Sequence, residues 1–274
     1  MKGKAVCLTV DLDRDANIRL EGREAAGSID RGAGTAPRYA STEKGLELLS
    51  GLLDELGIRI TYFAEAETLG SIVCAGCLDG HEVGMHGFAH EDLTGGDGAP
   101  LDAERLSDIL GRSSDTVADI VGRRPRCFRA PYMKADARLL GMLPSFGVRF
   151  DSSEYAAVAP VSLPYSLGGG LTEVPVSEGR DASGRRITGY LWPMHEGRRG
   201  PQDFIDLSAG VSEGVFTIAT HTWHLCESRE RGVMDAEGIA ANLANLREVL
   251  TGVMDEGFVP MTVPAAAERF PPAL

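Results

Sequence analysis

Short apolar runs recur along this chain with helical patterns set between them, and that alternation limits its folds more than any other feature. The runs fall at residues 5–10, 58–63, 82–85, 127–129, 148–151, 171–176, 215–221 and 258–263. The first, Ala-Val-Cys-Leu-Thr-Val, is apolar nearly throughout, as a strand covered on both faces would be. Leu46, Leu49, Leu53 and Leu56 recur at helical spacing, with Ser41 or Thr42 to cap the helix and Gly57 to end it. A second helical pattern covers 101–121, with Asp102 as its cap and Gly122 and Pro125 as stop signals. Residues 135–146 read as a helix whose last turn Pro144 breaks, and 236–256 as another helix.

Strands alternating with helices predict a mostly parallel sheet with helical crossovers. About eight strands in 274 residues suit a closed or nearly closed α/β barrel, with an open doubly wound sheet as the alternative. No repeat, low-complexity tract or linker divides the chain, so one domain over residues 1–274 is expected. Segments 14–40 and 180–200 read as long Gly/Arg-rich loops, where a rigid scaffold often carries binding groups.

Lys plus Arg number 27 and Asp plus Glu 40, a net charge of −13. Such a chain repels phosphate backbones, and it shows no basic cluster, so no nucleic-acid partner is expected. Anionic membrane surfaces are disfavoured for the same reason, and no run reaches the roughly 18 apolar residues of a membrane span. Residues 5–10 are too few for a signal-peptide core, which makes the cytoplasm the expected location. Five cysteines, an odd count, suggest reduced thiols. Cys74 and Cys77 form a lone C-x-x-C, read as small hydrophobes ahead of a zinc or redox pair.

In a parallel barrel, catalytic groups follow the carboxyl ends of strands. The polar residues at those places are Asp11 and Asp13, His86 and His90, Arg129 and Tyr132, Asp151, and His221 with His224. His86 and His90 are spaced i, i+4, which on a helical turn puts both imidazoles on one side. A carboxylate from Asp11 or Asp13 would complete a two-histidine, one-carboxylate metal site with an open position for water. The competing readings are histidines buried or solvated near a turn, and acids that cap loops. Residues i and i+2 of an extended strand share a face, so both aspartates can meet one pocket. One would bind the ion while the other takes a proton from water. Like charges this close need a cation or an arginine; Arg129 is the candidate, against a plain surface salt bridge.

In order, Thr9-Val10-Asp11-Leu12-Asp13, His86-Gly87-Phe88-Ala89-His90, Arg129-Ala130-Pro131-Tyr132, Asp151 and His221 resemble the motifs of the polysaccharide deacetylase family, the NodB-homology carbohydrate esterases. The resemblance runs from about Ala5 to His224. It implies a distorted (β/α) barrel of the NodB-homology type, mostly parallel. It also implies divalent-metal-dependent hydrolysis of an N-acetyl group, usually on an N-acetylhexosamine unit. Carried over by residue, Asp13, His86 and His90 match the metal ligands and Asp11 the general base. Arg129 resembles the arginine that steadies the base, and Tyr132 the residue whose backbone N–H helps hold the oxyanion. His221 resembles the general acid, and Asp151 the carboxylate that orients a member of this network. His221 is preferred to His224 because it directly ends the apolar run.

Many members have adjacent aspartates where this chain has Asp11-Leu12-Asp13, and Ser or Thr where it has Gly87. Both departures resemble the intracellular branch, which holds peptidoglycan-deacetylase-like proteins and metal-free allantoinase-like members. The expected cofactor is one divalent ion, zinc by ligand type, though cobalt or nickel suit the same set. The expected partner is a small-molecule or glycan substrate, with a homo-oligomer left open. The alternatives are a metal-free cyclic amide hydrolase and a non-catalytic carbohydrate-binding relative. His81 reads as structural at a strand start and His195 as part of a surface loop. Trp192 and Trp223 either stack on a sugar face or fill the barrel mouth, and Arg198 and Arg199 read as solvated.

Overall fold

Side-chain alternation along the first strand sets the frame of the computed structural model, which describes residues 3–15, 37–95 and 101–272. That strand, β1 (Lys4–Leu12), sends Val6, Leu8, Val10 and Leu12 into a core shared with the helices. Its alternate residues Ala5 and Cys7 join Phe63, Cys127, Phe150 and Val215 in a second cluster on the opposite face. The helix Val263–Arg269 closes one end of this second cluster with Val263, Ala266 and Ala267. Asp11 lies two residues beyond Thr9 on this same face.

The remaining strands follow in chain order. They are β2 (Thr61–Ala64), β3 (Glu82–Met85), β4 (Cys127–Phe128), β5 (Phe150–Asp151), β6 (Tyr155–Ala157), β7 (Val161–Ser162) and β8 (Tyr165–Gly168). Then come β9 (Leu171–Glu173), β10 (Val176–Arg180), β11 (Arg186–Thr188), β12 (Glu213–His221), β13 (Glu227–Ser228), β14 (Gly232–Val233) and β15 (Phe258–Pro260). The main sheet runs β7-β12-β1-β2-β3-β4-β5-β9-β8, with β15 also on β1. Every pairing in it is parallel except β8 with β9. The sheet curls as a NodB-type barrel does and stays open, since no pairing joins β7 to β8 among the described residues. The distorted, mostly parallel (β/α) barrel expected from the motifs is therefore the fold observed.

The helix Ala40–Leu56 starts one residue before the expected cap, and its cap comes from far away. The Asp15 carboxylate accepts the backbone N–H groups of Ser41 and Thr42 at 3.1 and 2.7 Å. Gly57, in the left-handed conformation, ends that helix, and Gly122 ends Ala103–Val121 in the same way. Asp102 caps the latter as expected, accepting from the Arg105 N–H at 2.7 Å. Pro144 falls where α-helix gives way to a tighter turn.

Three expectations need correction. The run 171–176 is split between β9 and β10, which belong to different sheets, because Pro175 has no N–H to continue a ladder. Segment 180–200 is no loop. It holds the β10–β11 hairpin, closed where Asp181 and Arg185 bond at 2.9 Å, and the helical turn Trp192–His195. Cys74 and Cys77 form a disulfide, while Cys7, Cys127 and Cys226 are free and buried. Most of the expected loop 14–40 lies outside the described residues.

Candidate active site

The ends of β1, β3 and β12, with the loop after β4, converge on a cavity of about 280 Å³. Asp11, His86, His90, Tyr132 and His221 line it, together with Tyr155, Tyr190, Trp192 and Arg229.

Asp13, His86 and His90 are buried, and each offers one ligand atom within 4.8 Å of the others. His90 Nε2 is 3.5 Å from Asp13 Oδ2. His86 Nδ1 is 2.8 Å from the Arg129 carbonyl. A carbonyl only accepts, so Nδ1 carries the hydrogen and Nε2 keeps the lone pair a cation needs. Burial lowers the His86 pKa, which favours that neutral imidazole. The donor set therefore fits a divalent cation with mixed nitrogen and oxygen ligands.

The histidines do not meet on a helical turn. His86 follows directly on β3, the chain reverses through Gly87 at φ 75°, and His90 sits at φ 59°. The Glu91 carboxylate fixes the reversal by accepting the N–H groups of Phe88 and Ala89, each at 3.0 Å. The two imidazoles end edge to face, 4.9 Å between centroids.

Asp13 is held from behind. The Thr42 hydroxyl donates to its carbonyl. The next residue, Arg14, is locked by the buried Glu65, which accepts the Arg14 N–H at 2.9 Å and its Nε–H at 2.7 Å. Sequence reading did not single out Glu65; a lone acid after a strand carries no signal of its own.

Asp11 is clamped on both oxygens. Arg129 Nη1 donates to Oδ1 at 2.9 Å, and the Tyr190 hydroxyl donates to Oδ2. Oδ2 also lies 4.0 Å from His86 Nε2 and from His221 Nε2. Arg129 is fully buried. It also donates to the Ser152 carbonyl and hydroxyl, both at 2.8 Å, and lies over the Phe63 ring. The surface salt-bridge reading of Arg129 is thereby excluded.

Tyr132 and Met133 have φ of 62° and 57°; with His90 they are the non-glycine residues of positive φ among those described, and all three line the cavity. Backbone strain of this kind gathers at functional sites. The Tyr132 hydroxyl donates to the His90 carbonyl at 3.1 Å.

Asp151 does not reach the cavity. It accepts the Ser153 hydroxyl at 2.7 Å, and Ser153 in turn accepts the Ala130 N–H at 2.8 Å. It thus bears on the loop of Arg129 and Tyr132 through one intermediary. Glu173 lies beside it in register; burial and the Asp151 charge raise its pKa well above the usual carboxylate range.

His221 lines the cavity, whereas His224 is buried behind it, 2.9 Å from Glu196. His81 is structural as expected, accepting the Ile60 N–H at 3.2 Å. His195 is not in a surface loop: it is buried, with Nε2 2.9 Å from the Thr220 hydroxyl. Trp192 lines the cavity, and Trp223 is fully buried. Arg198 pairs with Glu230 at the surface. Arg199 is not solvated but largely buried, 3.0 Å from Asp181.

Tyr190, Tyr155 and Arg229 escaped the sequence reading because they belong to no strand end of the main sheet. The usable signal was Gly189. It lies so close to β12 that a Cβ there would be 2.4 Å from the Thr217 carbonyl.

Residues 30–150 match the family model described as polysaccharide deacetylase. The chain is 30% identical over 114 residues to a peptidoglycan deacetylase-like protein of Gibberella zeae, covering 40% of this chain and 32% of that one. It is 30% identical over 115 residues to a chitin deacetylase of a Pestalotiopsis species, covering 40% of this chain and 36% of that one. The matched regions thus span about a third of these curated relatives. A polysaccharide deacetylase homologue from Mycobacterium smegmatis shares the fold at a TM-score of 0.65 and 21% identity, over 99% of this chain and 93% of the other. Over residues 30–150 the family model, and over similar lengths the curated relatives, agree with the resemblance to polysaccharide deacetylases that the motifs carry, and the Mycobacterium smegmatis structure shares the fold.

Proposed function

We propose that this chain is a metal-dependent hydrolase that removes an N-acetyl group from an amino sugar of a glycan or glycan precursor. The observation that carries this reading is the meeting of Asp13, His86 and His90 at the edge of a cavity lined by the doubly clamped Asp11. The deacetylase relatives support the choice of reaction, and the fit of the donor set supports a cation.

A divalent ion held by Asp13, His86 and His90 would polarise the amide carbonyl and acidify a water molecule; zinc is the ion the ligand types favour. Asp11 takes a proton from the attacking water at Oδ2, the oxygen that faces His86 and His221. Arg129 holds the other oxygen and so fixes the direction of the base. The backbone N–H of Tyr132, held in its left-handed turn, donates to the oxyanion. One such preformed donor contributes about 3–4 kcal/mol to the barrier. His221 gives a proton to the leaving nitrogen, and Trp192 supplies an apolar wall for a sugar ring. Asp151 acts at one remove, through Ser153.

The reading treats residues 1–274 as one catalytic unit in the cytoplasm, where a small or precursor amino sugar is a more accessible substrate than mature wall polymer. No helix among the described residues is long and apolar enough to cross a membrane. The test is metal analysis of the purified protein coupled to two assays, acetate release from N-acetylglucosamine oligomers and ring opening of cyclic ureides. Stoichiometric metal with chelator-sensitive acetate release supports the proposal. Ureide opening that survives exhaustive chelation overturns it in favour of the metal-free alternative.

A further inference from the structure

We propose that Tyr190 is a positioning residue that fixes the base Asp11 and the acid His221 relative to each other. This rests on the roles given to those two residues above.

The Tyr190 hydroxyl donates to Asp11 Oδ2, the oxygen turned toward the reacting centre, while Arg129 occupies the far oxygen. Without Tyr190 the carboxylate hangs on one side-chain donor and can swing about its terminal torsion, which is broad for aspartate. The same hydroxyl is 3.5 Å from His221 Nε2, and the phenol and imidazole rings lie 5.3 Å apart, tilted by 38°. One atom thus stands between base and acid. Packing around the phenol, then the Asp11 charge, raise its pKa well above the usual value, so the hydroxyl keeps its proton and remains a donor.

The backbone beneath is rigid. The Leu191 N–H donates to the Ala219 carbonyl at 2.8 Å, and the Ala219 N–H donates to the Gly189 carbonyl at 2.9 Å. Tyr190 is therefore stitched to β12 opposite Ala219, two residues before His221. Only glycine fits at 189, because a Cβ would collide with the Thr217 carbonyl. The excursion through β10 and β11 returns to the main sheet here and delivers a phenol to the base.

The experiment compares zinc-loaded wild type and Tyr190→Phe on chitotetraose, with metal content, and solves the crystal structure of the variant. The expected result is a kcat lower by about ten- to a hundredfold at nearly unchanged KM. Metal content is expected to be equal to wild type, and the Asp11 carboxylate to be rotated from its position. A kcat equal to wild type, a loss confined to KM, or an unmoved carboxylate overturns the assignment. A wild type that binds zinc but releases no acetate removes the deacetylase reading, and the crystal structure still judges the hold of Tyr190 on Asp11. Should Tyr190→Phe fail to fold, 3-fluorotyrosine at position 190 keeps the ring and strengthens the donor. Then kcat must shift by more than about twofold at constant KM, and an unchanged kcat overturns the assignment.

Discussion

Arg129 and Asp11 form an ion pair sealed from solvent, Nη1 to Oδ1 at 2.9 Å, between side chains 0% and 2% exposed. Burying two charges is costly, and the cost is offset only where the remaining donors are satisfied. Here Nε and Nη2 both bond to Ser152. Arg129→Met leaves Asp11 buried without its ionic partner and the Ser152 carbonyl without its donor. We expect a loss of about 3–5 kcal/mol in folding stability, read by urea unfolding, and loss of turnover. Arg129→Lys should recover little of either, because an ammonium cannot span Asp11 and Ser152 together.

Asp11 and Asp13 are two residues apart and are assigned different tasks, so their variants should fail differently. Asp13→Ala and His86→Ala remove ligands and should abolish metal binding along with activity. Asp11→Asn keeps the shape and the ligand set. It should bind metal like wild type and lose kcat by about 100- to 10,000-fold. Metal content and acetate release measured on the same preparations separate the cases.

How much of this was legible in the sequence depends on distance along the chain. Strand alternation predicted a common face for Asp11 and Asp13; Asp11, near the end of β1, lines the cavity, and Asp13, just past the strand, groups with His86 and His90. The pairing of His86 with His90 was readable from spacing, but not its means. Gly87 and Glu91 build a reversal where periodicity suggested a helical turn. Pro175 announced the break between β9 and β10, yet the apolar run around it masked the signal. Tyr190 was invisible because 179 residues separate it from Asp11, and no local pattern encodes a contact of that range. His195 looked exposed because it sits among Gly and Arg residues, while its burial comes from packing against His224 and Thr220.

His195 should shape the acid limb of stability. Burial, then the nearby His224, lower its pKa from 6.5 to about 3. Between those values the unfolded chain takes up a proton that the folded chain refuses. Its contribution is therefore complete above pH about 6.5 and drains away as pH falls toward 3. The side chain is 1% exposed, so the effect should reach several kcal/mol at the acid end. Urea midpoints of wild type should fall over this window, and those of His195→Gln should fall less steeply. Parallel curves would remove the histidine from the account.

Gly45 lies inside the helix Ala40–Leu56, where alanine is ordinarily better by about 1 kcal/mol. Here the sign should invert. A Cβ at Gly45 would stand 2.0 Å from the Thr222 carbonyl oxygen, which is backbone and cannot swing aside. Thr222 follows His221 directly, and its N–H donates to the Asp11 carbonyl at 3.3 Å. Overpacking of this kind costs about 1–3 kcal/mol, more than the propensity gain. Gly45→Ala should therefore lower the unfolding midpoint and, by shifting Thr222, lower kcat although residue 45 lies outside the cavity. A variant more stable than wild type with full activity would show that the helix can slide away from the strand end.

Gly87 stands where many relatives of the NodB type carry Ser or Thr, and the structure gives it a local reason. Its φ of 75° is left-handed, and a Cβ would sit 3.1 Å from the Glu91 carboxylate and 3.2 Å from Pro131. The Glu91 contact matters most, because that carboxylate holds the Phe88 and Ala89 N–H groups and so sets the angle between His86 and His90. Gly87→Ser should cost about 1–2 kcal/mol for the backbone conformation alone. It should also displace Glu91 and weaken metal binding by loosening the ligand turn, with His86 and His90 both still present. Competition with a fluorescent zinc chelator gives the affinity directly. An affinity equal to wild type would mean that the turn tolerates a side chain and that the histidine geometry is set by β3 and the Arg129 carbonyl instead.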